Sequence, residues 1–350
     1  MTEYIKDIKE ANLSACEDVS SFLQSAMWGE FKSRFGWSAK AFLVNWQQGE
    51  STPLLALCRR LAPGFSFAYI PWGPDMPSSI AADSRPAAMG QLAAKLKPLL
   101  SRNTVFVRFE PLFSIESPLS AGDCKPFLSA GLKQAAATVQ APDTVIVNLS
   151  VSCDEILSAM KPKWRYNVQL AGKKGVQVQV DNEQLEIFYN LLRETAVRDG
   201  ISIHNIDYYK TLFEICENKK DYRLCLYTAL HENDFLAAII VLFRGKDATY
   251  LYGASSNIKR NLMAPYALQW QAMLDAKEAG CLSYDLFGIP PNDDPGHPMA
   301  GLYRFKTGFG GQIVHRAGGW DFPYKSFFYN LFNIAEVLRK KLRDLRKKNK

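Results

Sequence analysis

The sequence predicts an α/β (α+β) protein that contains the same small arrangement of strands and helices twice. At 350 residues the chain is longer than one hydrophobic core usually supports, and it is about the right length for two domains. Its composition, with 47% apolar and 22% charged residues, is that of an ordinary globular protein. The predicted elements follow the order hairpin, strand, helix, strand in each half of the chain. No repeat is visible in the letters themselves, so the duplication is predicted from element order alone.

The first half begins with a short predicted helix. Residues 24–37, QSAMWGEFKSRFGW, have a capping residue in Ser25 and a helix break at Gly36. Two β-rich runs around a Gly-Glu-Ser turn then indicate a hairpin. The elements predicted from there are hairpin strands at 40–48 and 52–61, a strand within 65–74, a helix from Ser84 to about Leu100 and a half-buried strand at 104–111.

The pattern begins again after the apolar run TVIVNLS, residues 144–150. Helical periodicity comes first, then strands separated by a turn, and then a helix followed by a strand. The predicted elements are helices at 154–171, 183–197 and 207–217, a strand at 222–230, two further strands ending in 249–256, a helix opened by Pro265 and ended by Gly280, and a strand at 283–288.

A final amphipathic helix leads into a basic tail. Because its apolar residues are spaced by three and four, we expect its first turns to pack on a domain. Those residues are Phe327, Phe328, Leu331, Ala335, Leu338, Leu342 and Leu345. Residues 339–350 hold eight Lys or Arg and one Asp, so this tail alone carries the net charge of +7 and the rest is neutral in sum. The tail favours solubility, and it also suits RNA phosphates or an anionic membrane.

Cysteine usage and hydropathy indicate the cellular location. The seven cysteines are scattered without a C-x-x-C pair, which fits a reducing compartment. Charge in the first residues, MTEYIKDIKEAN, argues against a signal peptide, and the longest apolar run, Phe235–Phe243, is too short to span a bilayer. We therefore predict a cytoplasmic protein that lies at most on the inner face of the membrane.

Motifs for several kinds of catalysis are missing from the sequence. The four histidines stand far apart with no metal-ligand spacing, so we predict no metal site. No G-x-S-x-G elbow or recognisable nucleophilic cysteine occurs, and phosphate-binding glycine loops are also missing. The turn at 260–265, RNLMAP, contains no glycine, and its bulky side chains disfavour a coenzyme A diphosphate at the following helix.

Two segments combine cations with aromatic residues. Residues 161–174 contain five cations, Lys161, Lys163, Arg165, Lys173 and Lys174, together with Trp164 and Tyr166. This combination can bind RNA phosphates and stack on bases, and it also fits an ordinary solvated helix face. In GLYRFKTGFGG, residues 301–311, an extended backbone would place Arg304 and Lys306 on one side, and the glycines would admit a ligand. A fixed cation there can stabilise a developing oxyanion, although a solvent-exposed loop lysine fits the same letters.

Six segments, in this order, resemble the FemABX family of non-ribosomal peptidyltransferases, especially its FemX-like members, between about residues 22 and 325. These are FLQSAMWGEFKSRFGW, YIPWGP, QAPDT, MKPKWRYNVQLAGKKGV, YLYGASS with MAPYALQW, and GLYRFKTGFGG. The resemblance implies two tandem GNAT-like (acyl-CoA N-acyltransferase-like) domains without a coiled-coil arm. The first is expected at 1–148, completed by about 318–350, and the second at 149–317.

The implied reaction is transfer of an amino acid from aminoacyl-tRNA to the side-chain amine of the third residue in the stem peptide of a peptidoglycan precursor. The aminoacyl ester is already activated, so a site without a nucleophile suffices. Aminoacyl-tRNA is then a co-substrate, and no cofactor or metal is expected. We also expect a monomer. The alternatives are a CoA-dependent N-acyltransferase on the same fold and a non-enzymatic RNA or membrane-surface binding protein.

The resemblance also assigns residues. Lys306 would stabilise the oxyanion and the leaving oxygen, with Phe305 beside it, and Lys32 would bind the precursor phosphates. Further residues assigned to substrate binding are Trp28, Tyr69, Ser202, His204, Tyr208, Tyr252 and Arg304. Glu110 is the candidate general base. His204 stands where the family often has a diphosphate-binding arginine, and histidine cannot form the same bidentate fork. The acceptor therefore stays open between a nucleotide-linked and a lipid-linked precursor, with a slight preference for the lipid-linked one.

Overall fold

The computed structural model describes residues 2–118 and 122–348, with side chains up to residue 338. The chain forms two compact units, Met1–Pro142 with His315–Lys350, and Asp143–Val314. Strands and helices alternate in both units, which confirms the predicted α/β class. The strands are β1 (Ile5–Ala11), β2 (Ser38–Trp46), β3 (Ser51–Ala62), β4 (Phe65–Pro71), β5 (Thr104–Glu110), β6 (Ser114–Ile115), β7 (Lys133–Gln134), β8 (Thr144–Asn148), β9 (Gln177–Val180), β10 (Tyr222–His231), β11 (Asp234–Arg244), β12 (Asp247–Ser255), β13 (Ser283–Asp285), β14 (Gln312–Arg316) and β15 (Trp320–Pro323).

The helices connect and cover these strands. They are α1 (Ala26–Ser33), α2 (Arg85–Leu96), α3 (Lys125–Ser129), α4 (Cys153–Ala159), α5 (Pro162–Lys173), α6 (Leu185–Asp199), α7 (Ile206–Glu217), α8 (Ala264–Glu278), α9 (Ala300–Thr307) and α10 (Ser326–Lys348). The predicted cap of α1 is confirmed, because the Ser25 hydroxyl accepts a hydrogen bond from the Trp28 amide at 3.2 Å. Within the described residues, no helix combines the length and hydropathy that crossing a bilayer requires.

In the first unit, seven strands form one sheet in the order β1-β2-β3-β4-β5-β15-β7. All neighbours are antiparallel except β4 and β5, which are joined through α2. We expected β5 to be half-buried, but all seven of its residues are buried. Phe106 on one face packs against Tyr329 and Phe332 of α10, whereas Val107 lies in the core that contains Leu92 of α2. The prediction was wrong because helices cover both faces of this strand.

In the second unit the strand order is β14-β8-β13-β12-β11-β10-β9. Its one parallel pair, β12 and β13, is again joined by a helix, α8. The series β2, β3, β4, α2, β5 therefore has its counterpart in β10, β11, β12, α8, β13, which confirms the predicted doubling of element order. Strand β8 lies between β13 and β14, so it belongs to the second unit, whereas the sequence prediction assigned residues up to 148 to the first domain.

Two helix predictions need correction. The helix expected at 154–171 is two helices, because α4 ends before Lys161 and Pro162 begins α5. The first turns of α10 pack on the first unit as predicted, since Phe328 contacts Phe65 of β4, and Tyr329 and Phe332 contact Phe106 of β5. Three residues of the predicted apolar set, Phe327, Leu331 and Leu338, are exposed instead of packed. The amphipathic pattern located the helix and one of its packing residues, Phe328, but it missed Tyr329 and Phe332. The side chains of the predicted basic tail lie outside the described residues.

A buried ion pair joins two neighbouring strands of the first sheet, β5 and β15. The Arg108 guanidinium donates to both carboxylate oxygens of Asp321, at 2.7 and 2.8 Å, and both side chains are buried. Asp321 also accepts a hydrogen bond from the Tyr329 hydroxyl of α10 at 3.1 Å. One carboxylate thus connects β5, β15 and α10.

We expect Asp321→Ala to lower the free energy of unfolding by about 3–5 kcal/mol, because it leaves the Arg108 charge buried without its partner. Chemical denaturation monitored by fluorescence measures the loss. The control is Glu186→Ala, which removes an exposed partner of Lys210 and should leave the unfolding curve unchanged. Equal curves for the two variants would contradict the structural role of Asp321.

Candidate active site

Lys306 lies on a helix and not on the extended segment that we predicted. Residues two apart on a helix do not share a face, so Arg304 and Lys306 point to different sides. Arg304 is exposed, and its Nε donates to its own helix at the Ala300 carbonyl, 3.4 Å away. Lys306 is only 5% exposed. The two cations therefore do not form the predicted pair, and Lys306 alone enters the protein interior.

The Lys306 ammonium is held by backbone carbonyls. Its Nζ donates to the carbonyl oxygens of Gly288 at 2.9 Å and Phe287 at 3.3 Å. Nζ also lies 5.2 Å from the centre of the Tyr250 ring. Burial lowers the pKa of Lys306 to about 7, although the Asp285 carboxylate acts in the opposite direction. This lysine can therefore change its charge near neutral pH.

The turn after β13 brings both carbonyls to the ammonium. Phe287 adopts a left-handed backbone with φ 61°, a conformation that is uncommon for a bulky residue. Its amide donates to Asp285 Oδ1 at 2.8 Å, and the same oxygen accepts a hydrogen bond from the Thr144 hydroxyl. Asp285 thus fixes the turn whose carbonyls hold Lys306. Neither Asp285 nor Tyr250 was predicted to be a site residue. Asp285 lies outside the quoted motifs, although it is an acidic residue at the end of a strand, and Tyr250 lies in the segment YLYGASS, of which only Tyr252 was assigned.

The glycines after Lys306 serve packing instead of close approach to a ligand. A Cβ on Gly308 would lie 2.0 Å from the Trp164 indole, and one on Gly311 would lie 2.7 Å from the Ile146 carbonyl. The Trp164 Nε1 donates to the Phe305 carbonyl at 2.8 Å. The space that the glycines leave is therefore filled by α5 and β8, and this contact fixes α9.

Phe305 belongs to an aromatic cluster in the second unit. Its ring lies 5.3 Å from that of Tyr266 and 5.1 Å from that of Phe309, in edge-to-face geometry. Trp164 packs against the same Tyr266 ring at 5.8 Å. The residue next to Lys306 is thus a half-buried packing contact between α9 and α8.

The five cations predicted to contact RNA occupy α5 and its ends. Four of them, Lys161, Lys163, Lys173 and Lys174, are exposed. Arg165 instead donates to the Ser158 carbonyl at 3.0 Å and to the Met160 carbonyl, so it caps the end of α4.

A group of tyrosines lies at the start of α7 and on β12. The His204 ring stacks on Tyr208 with centroids 3.8 Å apart, and Tyr208 is hydrogen-bonded to Tyr252. Tyr209, which sequence analysis missed, packs edge-on against Tyr252 at 5.1 Å. Burial raises the pKa of Tyr208 and Tyr252, so both keep their hydroxyl protons. Both Ser202 and His204 are exposed.

In the first unit, Lys32 lies among aromatic rings. Its Nζ is 5.5 Å from the Trp28 ring and 5.8 Å from the Trp37 ring, and the Arg59 guanidinium lies 5.2 Å from Trp37. Burial, together with the Arg59 charge, lowers the pKa of Lys32 to about 8. Two cations beside one indole form a place that suits an anion. Neither Trp37 nor Arg59 was predicted to be a site residue. Trp37 ends the quoted segment FLQSAMWGEFKSRFGW, whereas Arg59 is brought beside it only by the pairing of β2 with β3.

Tyr69 and Glu110 bind each other in the interior of the first unit. The Tyr69 hydroxyl donates to Glu110, which also accepts hydrogen bonds from the amides of Val139 and Gln140. Burial raises the pKa of the Glu110 carboxyl. Its two oxygens thus hold the segment 139–140 against β5.

The chain is similar in sequence and in structure to known proteins. A model of the FemAB family matches residues 11–229 and 226–337. The lipid II:glycine glycyltransferase of Staphylococcus saprophyticus is 24% identical over 389 aligned positions, covering 91% of each chain. FemX has a similar crystal structure, with a TM-score of 0.78 and 19% identity over 94% of this chain and 100% of that one. A tandem GNAT protein from the clavulanic acid biosynthesis pathway has a TM-score of 0.54 and 11% identity, over 90% of this chain and 97% of that one.

The two solved structures confirm the predicted fold of tandem GNAT-like domains. The family match covers nearly all of the sequence from residue 11 to residue 337, including every segment that carried the resemblance. The chain belongs to the FemAB family.

Proposed function

We propose that this protein transfers an amino acid from aminoacyl-tRNA to the side-chain amine of the stem peptide in a lipid-linked peptidoglycan precursor. Relatives in the FemAB family are named lipid II:glycine glycyltransferases, which supports both the reaction class and the acceptor. The observation that carries the proposal is the buried Lys306 ammonium, held by two carbonyls.

In the proposed reaction the acceptor amine attacks the ester carbon of aminoacyl-tRNA. A C–N bond forms, the ester C–O bond breaks, the amine loses a proton and the ribose oxygen gains one. An ammonium has three N–H donors, and the carbonyls of Phe287 and Gly288 accept two of them. We assign the third to the oxyanion of the tetrahedral intermediate and then to the leaving oxygen. Neither a cofactor nor a metal is needed for this sequence of steps.

Other residues receive supporting roles in the proposal. Lys32 and Arg59 bind precursor phosphates, and the tyrosines around Tyr208 and Tyr252 contact the stem peptide. The exposed lysines of α5 bind tRNA phosphates. Glu110 holds Tyr69 and the segment 139–140 in place, so we assign proton removal from the amine to water or substrate.

The turn before α8 disfavours coenzyme A as an acyl donor. Lys259 and Met263 take left-handed backbone conformations there without glycine. The Lys259 ammonium is held in ion pairs with Glu232 and Asp234, at 2.6 and 2.8 Å. A diphosphate at this helix would have to compete with these carboxylates.

Incubation with a mixed aminoacyl-tRNA pool tests the proposed reaction. We expect mass spectrometry to find the stem peptide of a lipid-linked precursor heavier by one or more amino acid residues. No product should form when the tRNA pool is treated with ribonuclease before the incubation, because the intact aminoacyl-tRNA donor is then destroyed. Product formation from acetyl-CoA alone, with no product from aminoacyl-tRNA, would contradict the proposal.

For Lys306→Ala we expect the single-turnover rate to fall by about 10²–10³-fold, the usual effect of losing one oxyanion donor. Precursor affinity, measured by titration calorimetry, should stay at the wild-type value. Lys246→Ala, which removes an exposed lysine in the same unit, is the control and should keep the wild-type rate. Parallel loss of affinity and rate would make Lys306 a ground-state ligand.

For Asp285→Asn we expect the pH profile to shift. Asparagine keeps an oxygen that can accept the Phe287 amide, but it removes the charge that raises the pKa of Lys306. If the protonated lysine is the active form, the rate falls as pH rises through that pKa of about 7. The alkaline fall should therefore begin at lower pH in the variant, with the acid-side rate retained. A fall at the same or higher pH would exclude this electrostatic role.

A further inference from the structure

Helix α10 carries two apolar stripes, and only one of them packs on the protein. On the packed side, Tyr329 and Phe332 lie 5.3 and 5.1 Å from the ring of Phe106 in β5. Phe328, at the border between the two stripes, packs against Phe65 with ring centroids 4.3 Å apart. These contacts attach the helix to the first unit.

The second stripe faces solvent. Phe327, Leu331, Ile334 and Leu338 are 75%, 56%, 58% and 54% exposed, respectively. Their spacing of four, three and four residues places them within roughly 60° of arc on an α-helix. Among the described residues, six of the fifteen large hydrophobic side chains that are exposed lie on α10, and the other nine are scattered over the chain. Single exposed hydrophobics are normal, whereas a continuous row indicates a binding surface.

Charge distinguishes between the partners that could cover this row. The residues that follow it, 339–350, contain eight Lys or Arg and one Asp, while the rest of the chain is neutral in sum. A second copy of the chain would bring another strongly positive segment close to the first, which opposes self-association. An apolar row next to a cluster of cations instead matches a lipid surface with anionic headgroups.

We propose that α10 is a membrane-surface helix. The exposed row of Phe327, Leu331, Ile334 and Leu338 enters the boundary between headgroups and acyl chains, and the cations of 339–350 bind anionic headgroups. The helix lies in the plane of the membrane, since no helix in the described part of the chain is long and apolar enough to cross it. This surface is separate from the transfer chemistry, and it places the enzyme where a lipid-linked acceptor resides.

Vesicle sedimentation with the full chain tests the proposal. We expect binding to mixed phosphatidylglycerol–phosphatidylcholine vesicles to be at least about tenfold tighter than binding to pure phosphatidylcholine vesicles, and to weaken with salt. The variant Leu331→Ser/Ile334→Ser should lose about tenfold or more in vesicle affinity because the apolar row is interrupted.

The matched control is Val197→Ser/Ile258→Ser, which removes two exposed apolar residues of the second unit. It should bind vesicles like the wild type. Both double variants should show wild-type unfolding curves, and both should transfer an amino acid to a water-soluble acceptor analogue at the wild-type rate. Failure of the membrane proposal can therefore be distinguished from failure of the transfer proposal. Unchanged vesicle binding by Leu331→Ser/Ile334→Ser would overturn the proposal. The proposal would also be overturned if the wild type bound no vesicles but dimerised with increasing protein concentration, and if Leu331→Ser/Ile334→Ser abolished that dimer.

Discussion

The ammonium group of Lys306, held inside the protein by two carbonyl oxygens, is the interaction on which the proposed chemistry depends. Moving a charged amine out of water is costly, and the carbonyls of Phe287 and Gly288 offset only part of that cost. The pKa therefore falls to about 7. An ammonium with such a pKa releases its proton more readily than an exposed lysine, which suits a group that must stabilise an oxyanion and then protonate a leaving oxygen.

The surrounding elements keep this ammonium in one place. Asp285 fixes the left-handed turn at Phe287, and Trp164 locks α9 by occupying the space beside Gly308 and binding the Phe305 carbonyl. A lysine side chain has several rotatable bonds, so a rigid frame is needed before its charge acts at a defined point. The residues that support Lys306 come from α5, β8, β12 and β13, which are far apart in sequence.

Elements with strong local signals were predictable from the sequence, whereas contacts between distant segments were not. The Ser25 cap and the doubled series of strands and helices follow from capping chemistry and periodicity. Helix α9 was missed because three glycines follow it closely. They suggested an extended segment open to a ligand, whereas in the structure they permit tight packing. The partners of Lys306 could not be predicted, because Asp285 and Tyr250 reach it only through the pairing of β12 with β13. The prediction that the first turns of α10 pack on a domain was confirmed, but most of the residues predicted to pack are exposed. The helix has two apolar stripes, and periodicity does not reveal which one meets the sheet.

A crystal structure with a phosphonate analogue of the tetrahedral intermediate tests the central claim most directly. We expect that Lys306 Nζ keeps its two carbonyl partners and lies about 3 Å from the phosphonate oxygen that represents the oxyanion. A phosphonate bound elsewhere, with Nζ still enclosed by protein and out of hydrogen-bond reach of its oxygens, would contradict it.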